Sequence, residues 1–66
     1  MDESTNHIMK FFSYEHLPVR LQEVSKRYAE LADFTSKLPY KPERDVALRK
    51  LLEAKDAAVR SALFDV

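Results

Sequence analysis

The sequence predicts an all-α protein, with a short N-terminal helix followed by an antiparallel two-helix hairpin that assembles into a compact homo-oligomer. The chain has no glycine, which argues against most β architectures because their tight turns depend on it. Apolar residues recur at three- and four-residue steps along two long stretches, as on buried helix faces. Pro39 and Pro42 mark a connection too short for anything but antiparallel neighbours. We expect one domain over residues 1–66.

The second long stretch, 42–63, has the most regular pattern and begins with Pro42, which suits a first helical position. A face of small residues and one lysine lies beside the apolar stripe: Ala47, Lys50, Ala54, Ala57 and Ser61. Lys55 falls near the centre of the stripe, so its amine must reach water, pair with an acid or meet an anionic ligand. The stripe itself is predicted to comprise Leu48, Leu51, Leu52, Ala58, Val59, Ala62 and Leu63.

The first long helix is predicted over 18–38, where Pro39 ends it. Four residues, Val19, Ala29, Ala32 and Phe34, lie off its main seam and form a second apolar surface. The seam has a heptad-like spacing and is expected to pack along the stripe of the following helix. Its residues are Leu21, Val24, Tyr28, Leu31, Thr35 and Leu38.

Ahead of the hairpin, residues 1–6 are predicted to be frayed, because they are polar and terminal. A short helix is expected over 7–13, with Ser4 or Thr5 as its cap. Residues 13–18 then form a hinge. The apolar side chains of the short helix either cover the hairpin or build an aromatic wall for a ligand or a partner subunit: Ile8, Met9, Phe11 and Phe12.

Size and composition limit the function. A chain of 66 residues buries too little surface for comfortable stability alone and usually needs disulfides, a metal or a partner chain. With no cysteine and only two histidines, His7 and His16, we expect no disulfide, no metal and no cofactor. Oligomerisation is then the remaining means by which the chain could be stabilised. Eleven acidic and eleven basic residues cancel, which disfavours DNA or RNA polymers as partners. No apolar run approaches the ~20 residues of a membrane span.

The sequence contains no nucleophile elbow and no metalloprotease pair, so we expect that the protein is not an enzyme. Phe11, Phe12 and Tyr14 offer rings, and Arg20, Lys26 and Arg27 offer cations on the next helix. Bases stack on aromatic planes and phosphates pair with Arg and Lys, so these residues suit a flat anion. Lys26 and Arg27 also have acids four residues away on the same helix, Glu30 and Glu23 respectively, and a surface ion pair is the alternative interpretation for both.

Three segments also resemble a known family: YEHLP at 14–18, LQEVS at 21–25 and ALRKLLEAKDAAVR at 47–60. They are similar to the phage anti-CBASS cyclic-nucleotide sponges, which share a helical hairpin with the anti-Thoeris sponges. The resemblance covers residues 11–63. It implies a homohexamer in the cytoplasm of the infected bacterial host. Such a protein sequesters cyclic dinucleotides such as cGAMP, and cyclic trinucleotides, without cleaving them, and so blocks activation of the CBASS effector.

The resemblance further implies where ligands bind. A dinucleotide pocket would lie between two protomers, with an aromatic residue stacked on the bases and a cation of the first long helix fixing the ligand. Separate trinucleotide sites would use arginines of the second long helix. The residues so implied are Phe11 or Tyr14, Lys26 or Arg27, and Arg49 and Arg60. The alternative function is a helical protein–protein adaptor, or a structural oligomer acting on a host protein.

Overall fold

A computed structural model describes residues 2–64, and every regular element among them is helical. Helix α1 spans Glu3–Met9 and runs into a 3-10 turn at Lys10–Phe12; helix α2 spans Val19–Ser36 and helix α3 spans Lys41–Leu63. The predicted all-helical fold is therefore confirmed. None of the described helices combines the length and hydrophobicity that crossing a membrane requires.

Helices α2 and α3 form an antiparallel hairpin. At its open end, Arg20 Nη1 donates to the carbonyl of Ala62 at 2.8 Å, which joins the start of α2 to the end of α3. At the turn, Arg44 Nη1 donates to the carbonyl of Leu38 at 3.0 Å. Helix α3 begins at Lys41, one residue before Pro42. The first four N–H groups of a helix have no intrahelical acceptor, so the N–H that Pro42 lacks costs no hydrogen bond. The predicted hairpin and its boundaries agree with the structure to within two residues.

The prediction that residues 1–6 are frayed is wrong for residues 2–6, and residue 1 lies outside the described part of the chain. Helix α1 begins at Glu3 rather than at His7, because Asp2 caps it. The Asp2 carboxylate accepts from the backbone N–H of Thr5 at 3.0 Å, which satisfies one of the otherwise unpaired donors of the first turn. Ser4 and Thr5 are helical residues and not the cap, and the predicted helix over 7–13 starts four residues earlier.

The core lies where α1 and its 3-10 turn cross the hairpin. Met9, Tyr28, Ala29 and Leu51 pack around it. The N-terminal segment thus forms a third layer over the two long helices, one of the two arrangements that the sequence left open. The fully packed residues come from all three helices and the turn: Ile8, Phe12, Ala32, Leu48 and Leu52.

The predicted seam of α2 is wrong in its rotation. Leu31 is 49 % exposed and Leu38 is 40 % exposed, whereas Ala32, which the prediction placed off the seam, is 0 % exposed. The reason is the third layer. Because α2 packs against both α3 and Phe12, the side that it buries carries small residues, which let these two elements approach closely. The residues that α2 buries are Leu21, Ser25, Ala32, Thr35 and Ser36.

Two surfaces of the hairpin stay uncovered in the single chain. At the end of α2 and just beyond it, three large apolar side chains are exposed, and we call them the apolar ridge: Leu31, Phe34 and Leu38. Of the four residues predicted to form a second apolar surface, Val19 is 82 % exposed and Phe34 is 64 % exposed, whereas Ala32 is buried and Ala29 packs against the core. On α3, the small-residue face Ala47, Lys50, Ala54, Ala57 and Ser61 is exposed along its whole length.

Candidate functional site

A cavity of about 460 Å³ opens between the segment that links the 3-10 turn to α2 and the C-terminal half of α3. We call it the linker cavity. One wall comes from residues 10–17 and the other from residues 55–60. The side chains that give it chemical character are Lys10, Phe11, His16, Lys55, Asp56 and Arg60.

Phe11 reaches this cavity because of the 3-10 turn. Its neighbour Phe12 points inward and is 2 % exposed, so Phe11 is directed away from the core and is 52 % exposed. The ring of His7 meets that of Phe11 edge to face, with centroids 5.4 Å apart and an interplanar angle of 78°. This contact restrains one side of the Phe11 ring. A planar ligand would find a partly ordered aromatic surface in the lining of the cavity.

The linker over the cavity is held by two side chains. Gln22 Nε2 donates to the carbonyl of Leu17 at 2.7 Å and to that of Glu15 at 3.2 Å. Glu15 Oε2 accepts from Ser13 Oγ and from the backbone N–H of Tyr14, each at 3.3 Å. Backbone N–H groups, first its own and then that of Tyr14, lower the pKa of Glu15. The predicted hinge is therefore a hydrogen-bonded segment.

The linker cavity carries more positive than negative groups. Lys10, Lys55 and Arg60 face a single acid, Asp56. Lys55 Nζ pairs with Asp56 Oδ1 at 3.0 Å, and its side chain is 13 % exposed. Pairing with an acid is one of the three outcomes that the sequence allowed for this lysine. Lys10 and Arg60 make no ion pair with any residue between 2 and 64, so their charges are available to an anion.

A second, wider groove of about 1430 Å³ runs between α1 and α3. Lys10 borders both concave surfaces. Beside it the groove presents His7, Val46, Arg49 and Lys50. Lys50 Nζ lies 4.0 Å from Glu53 Oε1, which partly offsets its charge.

Asp2, Lys41 and Asp45 also line this groove, and with Arg44 they form a set of paired charges that we call the N-terminal cluster. Lys41 Nζ bonds Asp45 Oδ2 at 2.6 Å, and Arg44 Nη2 bonds Asp2 Oδ2 at 2.6 Å. The Thr5 backbone N–H is the main cause of a lowered Asp2 pKa, and Lys41 is the main cause of a lowered Asp45 pKa. The bond to Asp45 raises the pKa of Lys41 in return. These charges satisfy one another, so the cluster holds α1 in place.

The structure brings together two of the six residues that the sequence singled out, Phe11 and Arg60, in the linker cavity. Arg49 borders the wider groove instead. Tyr14 is half-buried in the linker and lines neither concave surface. The other two residues, on α2, are exposed and also line neither: Lys26 and Arg27.

Arg27 forms the surface ion pair that was the alternative to a ligand role, because its Nη2 lies 3.8 Å from Glu23 Oε1 in the single chain. Sequence reasoning missed Lys10 and the whole N-terminal cluster. The available signal was Asp2, a favoured cap residue, followed by Glu3 in the first turn.

Comparison with known proteins adds no relative to these observations. No family model matches the chain, and neither a curated protein nor a solved structure matches it. Within residues 2–64, no group of three or more His, Asp and Glu side chains is placed to hold a metal ion. The functional assignment therefore depends on the chemistry of the linker cavity and on the resemblance of the sequence.

Proposed function

We propose that this protein is a phage anti-immune sponge that binds cyclic oligonucleotide signals and sequesters them uncleaved in the cytoplasm of the infected host. The observation that supports this best is the meeting of Phe11 and Arg60 in one cavity. They come from opposite ends of the chain, and the resemblance implies Phe11 for the dinucleotide pocket and Arg60 for a separate trinucleotide site. The cavity adds two cations, Lys10 and Lys55, that suit the phosphates of such a ligand.

The cavity of one chain is too modest for tight binding by itself. One stacked base and two charge-assisted bonds supply roughly 4–9 kcal/mol, taking ~1–3 for stacking and ~1.5–3 for each bond. Nanomolar affinity requires about 12 kcal/mol, before any cost of ordering the ligand. A cyclic dinucleotide presents two bases and two phosphates about an approximate two-fold axis. Two copies of the chain around a two-fold would present each group twice and match it.

Exposed apolar surface supports such an assembly. The apolar ridge leaves Phe34 at 64 % exposure, and the small-residue face lets another helix approach closely. A 66-residue chain without disulfides gains the stability it lacks by covering these surfaces with further copies. The hexameric stoichiometry in the proposal comes from the resemblance alone.

The deciding experiment is calorimetry with a panel of cyclic dinucleotides and cyclic trinucleotides, with linear dinucleotides as the matched ligands that lack the ring. Binding of at least one cyclic member, followed by chromatography that recovers it intact after heat release, is expected. Recovery of linear product would make the protein an enzyme. Absence of binding across the panel would contradict the sponge proposal.

A pair of variants links the binding to the cavity. Phe11→Leu keeps apolar bulk but removes the stacking surface, and should weaken binding by about tenfold or more, the loss of one stacked base. Tyr40→Leu removes a ring that is 67 % exposed at the turn of the hairpin, away from the cavity, and should leave affinity unchanged. Equal losses in both variants would place the ligand elsewhere.

The second candidate is a helical protein–protein adaptor, which the exposed ridge favours. The two functions differ in what covers that ridge. A sponge buries it between its own copies, whereas an adaptor keeps it free for a host protein. Light scattering that reports a single chain, together with failure of the nucleotide panel, would select the adaptor.

A further inference from the structure

We propose that Lys55 is the phosphate-binding group of the linker cavity, and that Asp56 is an internal competitor which the ligand's phosphate displaces. This deepens the proposed function and depends on it for the identity of the ligand. Lys55 is not among the residues that the resemblance implies. What singles it out is its position within the apolar face of α3, with a side chain only 13 % exposed in a cavity lined by two other cations.

A comparison within the molecule shows that the Lys55–Asp56 pair is unusual. Lys37 and Asp33 make a pair of the same 3.0 Å length, but their side chains are 69 % and 62 % exposed and they are spaced i,i+4 along the helix. Lys55 and Asp56 are adjacent in sequence, and adjacent residues do not face each other on a helix. The Asp56 carboxylate therefore turns toward the cavity to reach the amine, and an ordinary surface ion pair does not explain a lysine at this position.

The two partners differ in access to water, which sets the direction of exchange. Asp56 is 48 % exposed, so its carboxylate can return to water when it leaves the amine. The Lys55 side chain is only 13 % exposed, so it is much less accessible to water than Asp56. A phosphate that enters the cavity replaces the Asp56 carboxylate as the partner of the Lys55 amine. Lys10 and Arg60, which line the same cavity, also attract it.

This arrangement defines the ligand class. Lys55 is the least exposed cation of the cavity, whereas Phe11 in its lining is 52 % exposed. A ligand must therefore carry a phosphate that reaches Lys55 and a planar base that remains near Phe11. The expected order of affinity is a nucleotide first, pyrophosphate next, and an uncharged nucleoside last.

The test uses two matched pairs of variants in calorimetry with cyclic dinucleotides. Lys55→Met keeps the length and removes the charge, and should weaken binding by about tenfold or more. Its melting temperature should stay equal or rise, because an apolar residue replaces a partly buried charge. Asp56→Asn should tighten binding by removing the competitor. Lys37→Met and Asp33→Asn alter the exposed pair and should change neither the binding affinity nor the melting temperature.

A second measurement separates this inference from the proposed function. Pyrophosphate is added to wild-type protein while the ε-methylene resonance of Lys55 is followed by NMR, with that of Lys37 as the reference. If nucleotides bind but Lys55→Met binds them as tightly as wild type, the inference is overturned and the proposed function stands. If no nucleotide binds but pyrophosphate shifts Lys55 alone, the anion site stands and the proposed function fails. If neither ligand has an effect, both are overturned.

Discussion

Arg44 Nη2 and Asp2 Oδ2 lie 2.6 Å apart, so an arginine of α3 fastens the cap residue of α1 to the hairpin. The same guanidinium donates to Thr5 Oγ1 at 3.3 Å and to the carbonyl of Leu38 at 3.0 Å. Its side chain is 13 % exposed. One residue thus joins α1, the turn of the hairpin and α3, and the start of α1 is held by polar contacts while Ile8 holds its far end in the core.

These contacts predict an acid-sensitive stability. The Asp2 carboxyl has its pKa lowered from an ordinary 3.8, chiefly by the Thr5 N–H, so the unfolded chain takes up this proton first as the pH falls. The stabilisation is therefore present above about pH 4 and is lost as the pH falls further. We expect Asp2→Asn, which retains a capping side chain, to melt below wild type by a constant amount from neutral pH down to about 5.

Below pH 3.8 that difference in melting temperature should shrink. Far-UV circular dichroism melts at a series of pH values measure it. Glu3→Gln removes a charge from the same helix outside the N-terminal cluster and is the matched control. If the difference in melting temperature between wild type and Asp2→Asn widens toward acid, Asp2 is not the cause of the acid sensitivity.

Leu52→Ala should lower the free energy of unfolding by roughly 2–5 kcal/mol, because it leaves a leucine-sized cavity in the core. Leu63 belongs to the same predicted stripe but is 46 % exposed, so Leu63→Ala should cost much less. Urea unfolding of both variants at one protein concentration measures the contrast. Similar losses would mean that the end of α3 is buried in the assembly or that the stripe is packed differently.

Ser25→Ala should stabilise the protein. Ser25 is 0 % exposed, and its hydroxyl has no hydrogen-bond partner among residues 2–64. Removing an unsatisfied buried hydroxyl gains roughly 1–3 kcal/mol, and alanine also has the higher helix propensity. Ser61→Ala, at an exposed position of α3, isolates the propensity effect. A melting temperature that falls in Ser25→Ala would show that the hydroxyl does have a partner.

The assembly should split when a charge enters its contact surface. Ala57 is exposed in the single chain, so Ala57→Arg should leave the helical content intact and lower the mass measured by light scattering. If the mass is unchanged, the contact lies on the apolar ridge, and Phe34→Arg should lower it instead. A wild-type protein with the mass of a single chain at micromolar concentration would exclude the oligomer altogether.

Residues that are apart in one chain can meet in the assembly. Phe11 lines the linker cavity, whereas Lys26 is exposed on α2 and does not line it, so we expect a ligand that contacts both to bind between two copies. Phe11→Ala, Tyr14→Ala and Lys26→Ala should each weaken dinucleotide binding about tenfold or more.

Mixing the Phe11→Ala and Lys26→Ala proteins under conditions of subunit exchange should restore part of the binding, because some sites then receive both intact side chains. Calorimetry on the mixture measures the recovery, and Lys37→Ala is the control for an exposed lysine at the residue that follows α2. Unchanged affinity in Lys26→Ala would remove α2 from the site.

The sequence by itself determined the helices and their antiparallel order, because these depend on local causes. Apolar steps of three and four residues fix which side chains share a helix face, and Pro39 and Pro42 restrict the connection to a short turn. It also identified Lys55 as a charge on an apolar face. The tertiary structure decided which face of α2 is buried, because periodicity cannot choose between adjacent apolar arcs until α1 supplies a third layer. It likewise decided that Phe11 lines one cavity with Arg60 and not with Lys26, since that placement depends on how a 3-10 turn and a distant helix pack across the hairpin.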